Sequence, residues 1–367
     1  MSENAKTPSC ARGSVGGQAV VEGVMMRSPE YTAIAVRRMD NKKIAVQRKP
    51  NSTLASKYKI ARLPLIRGVV SFVESLKLSF STITSATDML GVENAGESES
   101  KFDKWLDKHF GKWIMPIVTV ISVILGVALS VGLFIYLPTR VCGWIFPDGV
   151  GNTFGGGAMR SVVEGVLKII IFILYIWLTA LIPDMKRVYQ YHGAEHKSIF
   201  CYEKGLDLTV ENVKKQSRFH PRCGTSFMFA MILLSIFIGI AFLWWVDIVW
   251  LRSLLKLALL PLTCGIGYEF IRYAGKHDNA LVRALAAPGL WMQRLTTREP
   301  DEEIIEVGIA SLKCAVPKDF PNFYEEMLEA MKEPENTENF EETSENNGEE
   351  NSENTEETPE GENGVEA

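Results

Sequence analysis

The sequence predicts a mainly α-helical, polytopic membrane protein with about four transmembrane helices, a small N-terminal β-hairpin region and a disordered acidic C-terminal tail. Three observations carry this prediction. Several stretches of the 367-residue chain stay apolar for the ~20 residues that a helix needs to cross a bilayer core. A short N-terminal segment alternates apolar and polar residues, the period of a strand. Residues 333–367 hold fourteen Glu and no Lys, Arg or Asp.

Residues 1–60 read as an N-terminal cytoplasmic region. The opening MSENAKTPSCARG has no apolar run, so no cleavable signal peptide is expected. Gly13, Gly16, Gly17 and Gly23 give a glycine-rich start, and Gly16-Gly17 with Glu22 and Arg27 can form a polar loop near a site. Tyr31–Arg38 and Ile44–Arg48 flank Met39-Asp40-Asn41-Lys42 as the arms of a β-hairpin. Residues 61–112 follow as an interfacial helical region. Within it Leu63–Leu90 is apolar but carries Arg67, Glu74 and Lys77, which favours an amphipathic helix on the bilayer surface over a re-entrant element.

Residues 113–274 form the membrane domain. The first span, 113–137, has no charge, and its Ser122, Gly126 and Ser130 allow close helix approach. The second, 163–182, has Glu164 and Lys168 at one end, where a lysine stem can snorkel to the surface. The third, 225–246, is followed by Trp250 and contains Trp244 and Trp245, an interfacial belt. The fourth, 253–273, is interrupted by Lys256 and Glu269. Asp301–Leu312, which Asp301 can cap, and Pro321–Lys332 read as helices of a C-terminal cytoplasmic region, 275–332.

Charge sets the orientation. The loop 183–224 holds eight Lys and Arg, against Arg140 and Arg160 alone in 138–162. Lys101, Lys104, Lys108 and Lys112 precede the first span. Both termini and the 183–224 loop are therefore expected on the cytoplasmic side of the cell membrane. The net charge of −5 becomes +9 once the tail's fourteen Glu are set aside. That tail has too little apolar surface to fold. Of the six cysteines, only Cys142 falls in an expected outer loop, so no external disulfide framework is possible. No Gly-Lys-Ser/Thr phosphate loop occurs, and no nucleic-acid partner is expected.

The loop 183–224 carries the chemistry. Asp184 can cap a helix that Gly205 ends, and inside lies His192-Gly193-Ala194-Glu195-His196. On a helix His192 and His196 stand one turn apart on one face, with Glu195 beside them. Two imidazoles so placed can bind a divalent metal such as zinc, and the carboxylate can act as a base. His220-Pro221-Arg222-Cys223 adds a nitrogen and a sulfur nearby. The plainer alternatives are packing or headgroup contact for the histidines and an ordinary buried thiol for Cys223. Glu269 is a further candidate ligand by its distance after H-x-x-E-H; its plain alternative is a pair with Arg272. Leu295-Thr296-Thr297-Arg298-Glu299-Pro300 reads as helix termination and capping.

Several of these stretches resemble the YqhQ family of bacterial membrane proteins: Gly17-Gln18-Ala19-Val20-Val21-Glu22-Gly23-Val24-Met25-Met26-Arg27, Tyr191–Lys197, His220–Phe227, Tyr268-Glu269, Pro288-Gly289 and Leu295–Pro300. The resemblance covers about residues 13–315 and implies a membrane protein with a suspected metal site and no settled reaction. The expected function is a metal-dependent hydrolase working near the bilayer, with Glu195 catalytic and His192, His196, His220, Cys223 and Glu269 as the ligand pool. Its partners would be membrane lipids, a lipid-linked or membrane-peptide substrate, and a second copy of the chain. The alternative is a non-enzymatic scaffold or transporter-associated protein in which the metal is structural.

Overall fold

The computed structural model describes residues 15–52, 58–91, 114–146, 149–221, 223–274, 277 and 279–332. The acidic tail, the lysines expected ahead of the first span, Cys10 and Arg222 lie outside the described residues. The chain is mainly helical. Four strands come first: β1 (Gly16–Val20), β2 (Gly23–Arg27), β3 (Tyr31–Arg37) and β4 (Ile44–Pro50). The helices follow as α1 (Ile66–Met89), α2 (Ile114–Val131), α3 (Leu137–Ile145), α4 (Phe154–Thr179), α5 (Pro183–Glu203) and α6 (Val210–Lys214). Then come α7 (Gly224–Leu243), α8 (Val249–Ala258), α9 (Leu260–Ala274), α10 (Ala280–Thr296), α11 (Glu302–Ala315) and α12 (Phe323–Lys332).

The strands make one antiparallel meander in the order β1-β2-β3-β4. The expected hairpin is its second half, with Arg37 opposite Ile44. The first half was not anticipated, because β2 is buried along most of its length and shows no alternation. One sheet face, with Val24, Met26, Ala33, Ala35 and Val46, packs into a core shared with Tyr191 and Ala194 of α5 and Ile304, Ile305 and Leu312 of α11. The other face, with Val20, Met25, Ile34 and Val36, packs on Ala86 and Leu90 at the end of α1. A sheet covered on both sides loses the polar stripe that marks a half-exposed strand. Each large side chain so buried contributes roughly 1.5–3 kcal/mol.

Helix α1 carries apolar side chains on its surface. Phe72, Leu76, Phe80 and Ile83 are exposed. Its start docks on α9, where Gly68 meets Gly265 and a Cβ on Gly68 would lie 2.8 Å from the Gly265 Cα.

Among the described residues two helices are long and apolar enough to cross a membrane, Ile117–Ile145 and Phe154–Thr179. The first runs from α2 to α3 through a π-helical turn at Gly132–Tyr136, so it continues past the expected end at 137. Helices α8 and α9 count as a third only if taken together, since they bend by 46°. Pro261 follows the break and cannot donate to the helix ladder there. Within α7, Met228–Leu243 is a shorter apolar helix.

The charges at the second expected span do not snorkel. Glu164 is buried, accepts from Arg252 Nε at 2.9 Å and pairs with Lys256. Lys168 donates to Ser235 Oγ on α7 at 3.2 Å. The helix begins at Phe154 rather than 163, where the Thr153 side chain caps it by accepting from Gly156 N–H.

Candidate metal centre

Helix α5 presents the H-x-x-E-H motif. It starts with Pro183 in its first turn, a residue pre-set for helix entry. Asp184 lies in that first turn instead of capping it. Gly205, at φ +70°, follows the helix end as expected. Cys223 is the N-cap residue of α7. The fold brings this helix start against α5, so that donor atoms of His192, His196 and Cys223 all lie within 4.8 Å of one another. Cys223 Sγ is 3.4 Å from His192 Nε2.

Backbone carbonyls fix both rings. His192 Nδ1 donates to the carbonyl of Thr296 at 2.9 Å, and His196 Nδ1 donates to that of Arg218 at 2.6 Å. A carbonyl can only accept, so each Nδ1 carries a proton, and Nε2 is the nitrogen whose lone pair a neutral ring would offer a metal. His196 Nε2 is buried with no hydrogen-bond partner. Burial, the largest influence on His196, lowers its pKa and favours the neutral ring. An orphaned buried nitrogen is costly unless something binds it. The donor set fits a divalent metal: zinc bonds of ~2.0–2.1 Å to nitrogen and ~2.3 Å to sulfur put tetrahedral donors about 3.6 Å apart, close to the His192–Cys223 spacing.

The residues 296–300, expected only to end and cap a helix, form the outer support of this centre. Besides the Thr296 carbonyl, Thr297 O accepts from Arg218, Arg298 N–H donates to Tyr189 O at 2.8 Å, and Glu299 pairs with the buried Lys197. Gly193 makes room for this segment; a Cβ on it would stand 2.1 Å from the Arg298 carbonyl oxygen. Such carbonyl partners orient metal-binding imidazoles and raise their basicity.

Glu195 is buried beside the cluster, its Oε2 4.0 Å from His192 Nε2. Burial pushes its carboxyl up to about 7, against a smaller opposing pull from His192. Gly17 of β1 lies over it, and a Cβ there would sit 2.8 Å from the Glu195 carboxyl carbon. Glu22, at φ +51° in the β1–β2 turn, pairs with Arg187 and accepts from Tyr191 Oη at 3.2 Å. Of the residues read from sequence as a polar loop, Gly16 and Gly17 lie in β1 and Arg27 in β2, and Glu22 ties the turn between these strands to α5.

His220 and Glu269 stand apart from the three donors. His220 Nε2 is 3.5 Å from Glu203 Oε2, and its backbone is clamped by Gln293, which accepts from its N–H and donates to its carbonyl, both at 2.8 Å. Glu269 is engaged through both oxygens by Arg67 of α1, in place of the Arg272 pairing weighed from sequence. Sequence reasoning missed Gln293, Thr296 and Arg218. The buried glutamine within α10 and the length of the Leu295–Pro300 match were the available signals.

A cleft of about 930 Å³ opens over the centre. His192, Glu195, His196, His220 and Cys223 border it on one side, β1 and β2 on another, and Ser75, Leu78 and Ser79 of α1 on a third.

A helical protein with apolar membrane-length helices and a His/His/Cys cluster beneath a cleft is the class these features define. The chain belongs to the family described as proteins of unknown function, DUF1385, whose profile matches residues 63–318. It is similar to the uncharacterized protein YqhQ of Bacillus subtilis (strain 168), at 33% identity over 299 residues covering 81% of this chain and 90% of that protein. No solved structure matches.

Proposed function

We propose that this chain is a multi-pass protein of the cell membrane in which His192, His196 and Cys223 hold a divalent metal, zinc by its donor set, and that the site hydrolyses a lipid-linked or membrane-peptide substrate. The observation that carries the reading is the three-donor cluster with an orphaned His196 Nε2, placed beneath an open cleft that Glu195 borders. Three protein donors are one fewer than a closed structural zinc site uses, and all three border the cleft, the mark of a catalytic rather than a structural site. When bound, the metal supplies Lewis acidity to a carbonyl or phosphoryl oxygen. The Thr296 and Arg218 carbonyls orient the two imidazoles. Glu195, held near neutrality by burial, takes and returns a proton at its carboxylate. The cleft walls position the substrate.

The membrane reading rests on the two long apolar helices and the exposed apolar residues of α1. The Lys and Arg distribution supports cytoplasmic termini with the site on that side. The rival reading, a scaffold with a metal clamp, needs a fourth protein ligand. His220, the candidate for that place, faces Glu203 instead.

Glu195→Gln separates the two. Wild-type and variant proteoliposomes are compared for metal content and for release of water-soluble product from a panel of phospholipids and lipopeptides. The variant is expected to keep its metal and to lose about 10²-fold or more of the wild-type rate. Loss of the metal, or equal rates, contradicts a catalytic Glu195.

A further inference from the structure

A second cavity of about 590 Å³ lies between the sheet and α1, and its wall shares Arg27 and Leu78 with the cleft over the metal centre. The two are neighbours, and Arg27, on the last position of β2, borders both. Lys49 of β4 and Lys77 of α1 line the second cavity, with Glu74 its one acidic lining residue among those described. Lys49 reaches only Ser85 Oγ, at 3.4 Å, and among the described residues no ion pair is formed by Arg27 or Lys77. Asn51 adds an amide at the rim. Three cations against one carboxylate, in a recess beside a hydrolytic centre, form an anion-binding surface. A guanidinium and two ammonium groups, borne on β2, β4 and α1, suit the several oxygens of a phosphate better than the two of a carboxylate.

We propose that this second cavity binds an organic phosphate, so that the substrate of the metal centre is a phosphoester whose phosphate sits among Arg27, Lys49 and Lys77. The assignment rests on the reading of His192, His196 and Cys223 as a hydrolytic metal centre. It adds a recognition site on residues outside that centre. The phosphate can belong to a lipid, entering beside the exposed apolar residues of α1, or to a water-soluble ester.

The test measures equilibrium binding to the full-length protein in detergent. The probes are a fluorescent short-chain phosphatidic acid, the matching neutral diacylglycerol and glycerol 3-phosphate. The proteins are wild type, Arg27→Gln, Lys77→Gln and His192→Ala. The phosphatidic acid is expected to bind at least about tenfold more tightly than the diacylglycerol, and each charge removal to weaken it about tenfold, the range of one charge-assisted hydrogen bond. Lys77 is exposed on α1, so its replacement leaves the fold intact even if Arg27→Gln does not. Metal content should stay unchanged in Lys77→Gln. His192→Ala should lose metal and still bind phosphatidic acid, so failure of the metal reading is seen separately from failure of this one. Competition by glycerol 3-phosphate at similar concentration assigns a soluble ester, and its absence a lipid; both support a phosphate site. Equal affinity for the charged and neutral lipids, or unchanged affinity in Lys77→Gln, overturns the proposal.

Discussion

Replacing Gly193 by Ala places a Cβ 2.1 Å from the Arg298 carbonyl oxygen, where ordinary contact begins at 3.4 Å. The obstacle is backbone, with no flexible side chain to turn away, so the 296–300 segment must retreat by about 1.3 Å, the shortfall from van der Waals contact. The Thr296 carbonyl two residues earlier holds His192 Nδ1 at 2.9 Å. A retreat of that size takes it beyond hydrogen-bonding range. Two costs follow. Overpacking lowers stability by roughly 1–3 kcal/mol. Loss of the carbonyl that orients His192 weakens metal binding about 10–100-fold. Both are measurable on detergent-purified protein, by thermal unfolding of the metal-free form and by competition with a chromophoric zinc chelator. Gly155→Ala is the control, since nothing lies within 4 Å of a Cβ there. Zinc affinity within about twofold of wild type in Gly193→Ala, a change too small for a lost orienting bond, refutes the reasoning that this segment sets the ring.

Two further outcomes follow from the same geometry. The Glu195 carboxyl is raised to about 7, above its unfolded value near 4.3. In the metal-free protein the folded state therefore holds the extra proton between those values, and stability falls as pH rises through that window, by about 4 kcal/mol in all. Thermal unfolding across that range should show the fall in the wild type and a flatter profile in Glu195→Gln; parallel profiles contradict it. Glu269→Gln should leave zinc content unchanged, because Arg67 and not a metal engages that carboxylate; elemental analysis showing metal loss would restore Glu269 as a ligand.

The part of the centre legible in sequence is the part set by local spacing. His192, Glu195 and His196 share a helix face because the helical turn puts them there, and Cys223 follows His220 closely enough to be noticed with it. What was illegible depends on tertiary contact. The carbonyls of Arg218 and Thr296 have no signature, since any residue type supplies the same group. Glu269 looked like a ligand by distance along the chain, yet its partner Arg67 lies 202 residues away. Strand β2 hid because both sheet faces are covered there, and α10 hid because Pro288 and Gly289 lie inside it. The 46° break beside Pro261 turned one expected span into two helices.

The central claim is that His192, His196 and Cys223 hold a metal. Its most direct test is elemental analysis of the detergent-purified wild type beside a His192→Ala/His196→Ala variant confirmed to fold. The account predicts about one equivalent of zinc or another divalent transition metal in the wild type and none in the variant. No metal in the wild type after reconstitution, or the same metal content in both, contradicts it.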